Sequence, residues 1–151
     1  MVIAEIDSTP YNVMLFIHIL SAIVAFAPAF VWPFVSMRLK KAGKPVGPTI
    51  SELAGGNSLK IHGPSFVVTG FVGFGLAGMS EKVFKMSQLW LSGAALLWFV
   101  GMGIFFGILH PAEKRVANGD ESAEKQIAMF SGILHLIVVV ALYLMIWKPG
   151  F

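Results

Sequence analysis

The sequence lacks cysteine altogether and contains few charged residues. Without cysteine the chain has no disulfide framework, no thiolate metal site and no cysteine nucleophile. Charged residues make up 13% of its 151 residues, whereas a soluble domain has about a quarter. This is too little charge to cover the surface of a water-soluble globule. Since 56% of the residues are hydrophobic, a disordered chain is excluded as well.

Four long apolar runs dominate what is there. They cover residues of about 11–37, 63–79, 89–109 and 127–147, and none contains Asp, Glu, Lys or Arg. A helix needs about 20 mostly apolar residues to cross the hydrocarbon core of a bilayer, and a helix satisfies its backbone hydrogen bonds internally. The sequence therefore predicts an all-α fold: one domain over residues 1–151, built as an integral membrane four-helix bundle.

The first run contains two prolines, Pro28 and Pro33. Proline lacks the N–H that a helix uses, so we expect it to kink the first helix or to end its regular part early. In a membrane the freed carbonyls must then be satisfied by neighbouring helices or by water.

The basic residues are distributed unequally between the loops. Eight lie in the first and third loops, and three lie in the second loop and the C-terminal tail. The positive-inside rule then predicts that the first and third loops are cytoplasmic and that both termini face outward. We expect the membrane to be the cytoplasmic (inner) membrane of a bacterium. Topology and anionic lipid account for the net charge of +3, so nucleic acid is not an expected partner. The first loop also has a cap-like pattern over residues 48–53 that predicts a short interfacial helix.

Small residues line parts of the second and third spans. Gly70, Gly73 and Ala77 share one helix face, and Gly103 and Gly107 have the spacing of a small-xxx-small motif. Small residues let helix backbones approach closely in lipid. The same face would alternatively leave space for a flat cofactor such as a porphyrin, and the sequence leaves both interpretations open.

All four histidines lie in or at the edge of a span. His18 and His135 are inside the first and fourth spans, whereas His62 and His110 lie at the predicted cytoplasmic boundary. Imidazole is the usual protein ligand of haem iron, so His18 is the leading candidate for a haem ligand and His135 the second. Counting about 1.5 Å per residue from the span ends places the two about 8 Å apart in depth, so suitably tilted helices would let them share one haem.

Each histidine also has a structural interpretation. His18 and His135 would then be hydrogen-bonded to a neighbouring helix, and His62 and His110 would pair with each other or face lipid headgroups. No carboxylate lies within any span to tune an acid or base, so the sequence predicts no catalytic residue. It predicts no metal site apart from the haem iron.

The start of the first span, LFIHILSAIV at residues 15–24, resembles two related groups of small bacterial membrane proteins. One is a family of four-span predicted integral membrane proteins of unknown function. The other is the bacterial membrane-embedded protoporphyrinogen oxidase family. The resemblance extends to Pro64 and Gly70 in the second span and to Trp90 and Leu91 at the start of the third.

For the oxidase family the resemblance implies haem b, bound by the histidine of the first span, here His18. It also implies a functional lysine shortly after the Trp-Leu pair. Residues 92–95 here read Ser-Gly-Ala-Ala, without a lysine, so we do not expect the oxidase activity.

Two functions follow as expectations. The first is a small haem-binding or redox-associated membrane protein, in which His18 and His135 hold haem b. The second is a non-catalytic accessory subunit that joins other membrane subunits, or further copies of itself, through its glycine-rich faces. In both cases the lipid bilayer is the immediate surrounding of the chain.

Overall fold

A computed structural model describes residues 6–54, 56–120 and 122–151, and all regular secondary structure in these ranges is helical. The helices are α1 (Thr9–Lys41), α2 (Val46–Ala54), α3 (Gly63–Met79), α4 (Leu89–Ile104), α5 (His110–Ala117) and α6 (Ala123–Trp147). A π-helical turn, Ser58–His62, leads directly into α3, and a second one, Phe105–Leu109, joins α4 to α5.

Four continuous helices are long and apolar enough to cross a membrane. They are Thr9–Lys41, Ser58–Met79, Leu89–Ala117 and Ala123–Trp147. The prediction of four helices that are long and apolar enough to span a membrane is therefore confirmed. A short helix, α2, also occupies the first loop where one was expected.

Helix α1 begins at a capped end and does not stop at its prolines. The Ser8 hydroxyl accepts a hydrogen bond from the Tyr11 amide at 3.4 Å, which satisfies one of the free amides of the first turn. The helix then continues for 33 residues to Lys41. Of the two expected outcomes, a kink or an early end, the early end is therefore wrong. Side chains of neighbouring helices donate hydrogen bonds to the carbonyls that the prolines free, as described below.

The core lies where the four long helices meet. Phe66 is 1% exposed and is the centre of this core, with its ring in edge contact with Phe26 at 4.8 Å and with Phe105 at 6.0 Å between centroids. Helices α1 and α3 pack along each other, and α4 packs along α6. The outward faces carry exposed large apolar side chains such as Phe71 and Leu142, as expected for a surface in contact with lipid.

Glycines in α3 and α4 are contact points between helices. A Cβ on Gly70 would overlap the indole of Trp98, and a Cβ on Gly101 would lie 2.7 Å from the ring of Phe66. Trp98 is held in place because its indole N–H donates to the Phe66 carbonyl at 2.9 Å. Large side chains thus fill the space that these glycines leave.

The loop end of the bundle is tied together by polar contacts. Glu124, at the start of α6, accepts from the Gly47 amide of α2 at 2.8 Å. The Ser58 hydroxyl donates to the Glu113 carboxylate of α5 at 2.5 Å. Arg115 pairs with Asp120 in the turn that leads to α6. These bonds fix α2 and α5 against the ends of the spanning helices.

Candidate functional site

His18 is held at the interface between α1 and α3. Its Nδ1 lies 2.8 Å from the carbonyl oxygen of Thr69, and its ring lies against Gly73, where a Cβ would be 3.0 Å from the ring. A carbonyl only accepts, so Nδ1 carries the proton and Nε2 keeps a free lone pair. Among the described residues, no protein group forms a hydrogen bond with this Nε2. The imidazole is thus fixed in one tautomer with its ligand atom unused.

A short chain of hydroxyl groups supports this interface. The buried Thr69 hydroxyl donates to the buried Ser21 hydroxyl at 2.9 Å, and Ser21 donates to the His18 carbonyl at 3.0 Å. The Ser65 carbonyl lies 2.8 Å from the Thr69 hydroxyl and shares its single O–H donor with Ser21. Polar groups buried in lipid are costly unless they are paired, so these bonds fix the register of α1 against α3 around His18.

His62 compensates for the first proline of α1. Its Nδ1 lies 2.8 Å from the carbonyl oxygen of Val24. In a regular helix this carbonyl would receive the N–H of residue 28, but Pro28 has none. The imidazole of His62 therefore supplies the missing donor.

His135 does the same for the second proline. Its Nδ1 lies 3.4 Å from the carbonyl oxygen of Ala29, the acceptor that Pro33 leaves without a helical partner. Its ring also packs against Phe30, with 4.4 Å between the ring centroids. The bond is longer than that of His62, so packing contributes more to the position of this imidazole.

His110 lies at the loop end, directly after the second π-helical turn. Its Nδ1 is buried without a hydrogen-bond partner and lies 4.0 Å from the Glu113 carboxylate, which accepts from Ser58. In the part of the chain that the structure describes, His62 and His110 share no hydrogen bond. The suggested pairing of these two histidines is therefore not formed.

The structure does not bring His18 and His135 together. His135 meets α1 at Ala29, eleven residues beyond His18, which is about 16 Å along a helix. Metal–imidazole bonds are about 2 Å long, so two ligands of one iron lie about 4 Å apart. His18 and His135 are thus separate candidate ligands and do not bind opposite faces of the same haem in this conformation.

The free Nε2 of His18 is a donor atom that fits a haem iron, but two of the glycines that could leave room for a porphyrin are covered, Gly70 by Trp98 and Gly73 by the His18 ring itself. A Cβ on Gly103 or Gly107, by contrast, would meet nothing within 4 Å. Within residues 6–54, 56–120 and 122–151, no group of three or more His, Asp or Glu side chains is placed to hold a metal ion.

Sequence reasoning missed the groups that hold the histidines. The partners of His18, His62 and His135 are backbone carbonyls, which no residue type reveals. The sequence does contain a partial signal. The carbonyl four residues before a helical proline lacks its donor, so the two internal prolines identify the carbonyls of Val24 and Ala29 as acceptors that need one.

Comparison with protein-family models, with curated proteins and with solved structures found no match for this chain.

Proposed function

We propose that this chain is a small haem-binding membrane protein in which the Nε2 atom of His18 is an axial ligand of haem b. The observation that carries the proposal is the 2.8 Å hydrogen bond from His18 Nδ1 to the Thr69 carbonyl. Histidines that bind metals almost always donate their other ring N–H to a carbonyl or carboxylate, which fixes the tautomer and raises the basicity of the ligand.

His18 differs from the other bonded histidines in one respect. His62 and His135 donate to carbonyls that prolines have deprived of a partner, so backbone satisfaction explains them. The carbonyl of Thr69 instead lies within the regular part of α3, where the N–H of Gly73 serves it. The bond of His18 is therefore not needed to repair a helix, which favours a role for the ring itself.

The absorption spectrum of the purified protein tests this proposal. We expect a Soret band and weaker visible bands that change on reduction, because haem b with an imidazole ligand shows them. His18→Ala should abolish these bands or shift them, whereas the matched variant His135→Ala, also in a spanning helix, should keep them. Circular dichroism would show that both variants remain helical.

A colourless wild-type protein that also fails to take up added haemin would contradict the proposal. So would a His18→Ala variant with an unchanged spectrum. If the bands disappear in His135→Ala instead, haem is bound but His18 is not its ligand.

A non-catalytic accessory subunit is the second candidate, and the packing at the glycines favours it. Gly70 and Gly101 are covered by side chains of the same chain, whereas a Cβ on Gly103 or Gly107 would have open space around it. An open small-residue face of this kind suits contact with another helix. A colourless protein that co-purifies with membrane subunits in a fixed ratio, and releases them after Gly103→Leu, would support this function over the first.

We also propose that both termini face outward from a bacterial cytoplasmic membrane. The support is the excess of basic residues in the loops between the first and second and between the third and fourth spanning helices. Alkaline phosphatase fused after Phe151 should be active outside the cytoplasm, whereas the same enzyme inserted at Asn118 should be inactive. The reverse pattern would contradict this orientation.

A further inference from the structure

A groove of about 500 Å³ runs along the second half of α1. It lies away from His18, His62 and His110, whereas Phe30 in its apolar part also packs against His135. Most of its length is lined by apolar side chains, namely Phe30, Val31, Phe34 and Val35, and one end is lined by Arg38 and Lys41. The groove therefore combines an open apolar surface with a cationic end, and both lie on α1.

The apolar part of the groove faces away from the bundle. The side chain of Phe34 is 65% exposed and that of Val31 is 51% exposed. Both lie within the apolar run of α1 that ends at Met37. In a membrane this part is therefore in contact with lipid chains, and the cations that follow lie at the level of the headgroups.

The cations at the end of the groove are available to a ligand. Arg38 and Lys41 are exposed, and no carboxylate in the described ranges lies within ion-pairing distance of either. Arg115, by contrast, is already paired with Asp120. Lys40 and Lys44 add two more positive charges within the same seven residues, and such a cluster directly after a spanning helix attracts anionic lipid.

We infer that this groove binds one anionic phospholipid. An acyl chain lies along Phe30 and Phe34, and the phosphate lies between Arg38 and Lys41. A guanidinium binds phosphate oxygens through two parallel hydrogen bonds, and an ammonium adds a second charge. A zwitterionic lipid fits less well, because its own cationic group neutralises the attraction. The site does not depend on any cofactor at His18.

Native mass spectrometry of the full chain released from detergent tests the site. We expect phosphatidylglycerol to be retained in preference to phosphatidylcholine with the same acyl chains. A cation close to an anionic headgroup contributes about fivefold to the binding of the lipid, so the double variant R38A/K41A, which removes the two cations that line the groove, should retain phosphatidylglycerol about 25-fold less well. Both side chains are exposed, so the variant should remain folded, which circular dichroism would check.

The matched control is the double variant K40A/K44A, which removes the same charge from the same segment outside the groove. It should retain phosphatidylglycerol clearly better than R38A/K41A does, because Lys40 and Lys44 do not line the groove and add only to the general positive charge of the segment. An equal loss in both double variants would overturn the inference, because the attraction would then be diffuse. Equal retention of the two lipids by the wild type would overturn it too. So would a dimer that only R38A/K41A dissociates, because a second copy of the chain would then fill the groove.

Discussion

The Nδ1–H of His62 donates to the carbonyl oxygen of Val24, four residues before Pro28. In the same way, the Nδ1–H of His135 donates to the carbonyl oxygen of Ala29, four residues before Pro33. Helix α1 thus keeps its helical course through two prolines because two other helices supply the donors that the prolines lack. Each proline is coupled to a histidine far away in the sequence.

A double-mutant cycle can measure this coupling between His62 and Pro28. His62→Ala should destabilise the fold by about 1 kcal/mol, because the Val24 carbonyl loses its donor. In a Pro28→Ala background residue 28 regains its N–H, so His62→Ala should cost about 0.5–1 kcal/mol less. Reversible unfolding in mixed micelles measures these free energies. As a control, the destabilisation caused by His18→Ala and that caused by Pro28→Ala should be additive. If His62→Ala costs the same free energy in both backgrounds, the coupling is contradicted.

The corresponding cycle for His135 and Pro33 should give a smaller value. The distance from His135 Nδ1 to the Ala29 oxygen is 3.4 Å, against 2.8 Å for His62 and Val24, and hydrogen bonds weaken as they lengthen. We expect a coupling free energy below about 0.5 kcal/mol in the same unfolding assay. A coupling free energy larger than that of the His62–Pro28 pair would show that the donor–acceptor distance does not determine the order of strength of these two hydrogen bonds.

The glycines of α3 and α4 should differ sharply in their tolerance of alanine. Gly70→Ala places a methyl group in the Trp98 indole and should destabilise the bundle by about 1–3 kcal/mol. Gly103→Ala meets nothing within 4 Å and should be neutral or slightly stabilising, because alanine favours a helix. Thermal unfolding in detergent compares the two. Trp98→Phe should recover part of the loss caused by Gly70→Ala, and equal behaviour of the two alanine variants would contradict the packing.

The turn between α5 and α6 should respond to acid. The hydrogen bond from Ser122, followed by that from Arg115, lowers the pKa of Asp120 below its ordinary value of 3.8. A lowered pKa means that the carboxylate stabilises the turn fully above about pH 3.8, and that this contribution is lost as the pH falls through the folded pKa. Carboxyl chemical shifts measured by NMR should titrate below pH 3.8, and Ser122→Ala should move the midpoint upward. No shift in that variant would exclude the hydroxyl as the cause.

Hydropathy predicted the spanning helices well, because the length of an apolar run and its lack of charge decide whether it can cross a bilayer. The second predicted span, 63–79, coincides with α3, and the predicted starts and ends at Leu89 and Trp147 are those of α4 and α6. The third helix was predicted to end near Leu109, but it continues to Ala117 through the second π-helical turn. Pro111 lies two residues after this π-helical turn, and the helix continues past it.

The depth of the histidines was harder to predict. Measuring the depth of His18 from one boundary and that of His135 from the opposite boundary of a bilayer about 30 Å thick gives a difference in level of about 8 Å between the two histidines. The apolar run 11–37 is about 40 Å long along its own axis, however, which leaves room for the rise of about 16 Å between His18 and Ala29, the residue that His135 contacts. Which carbonyl each imidazole meets also depends on how neighbouring helices are rotated, and one sequence does not contain that information.

The π-helical turn Phe105–Leu109 has one consequence for how the chain tolerates change. A π turn contains an extra residue compared with an α turn, and one helical residue corresponds to about 100° of rotation. Because those five residues complete nearly the rotation that four complete in an α turn, deleting one of them should restore a regular α turn and leave Glu113 of α5 facing Ser58. The same deletion within Leu89–Ile104 would instead rotate everything that follows by about 100°, so the π turn is the place where this helix can lose a residue without reorienting the loop end of the bundle.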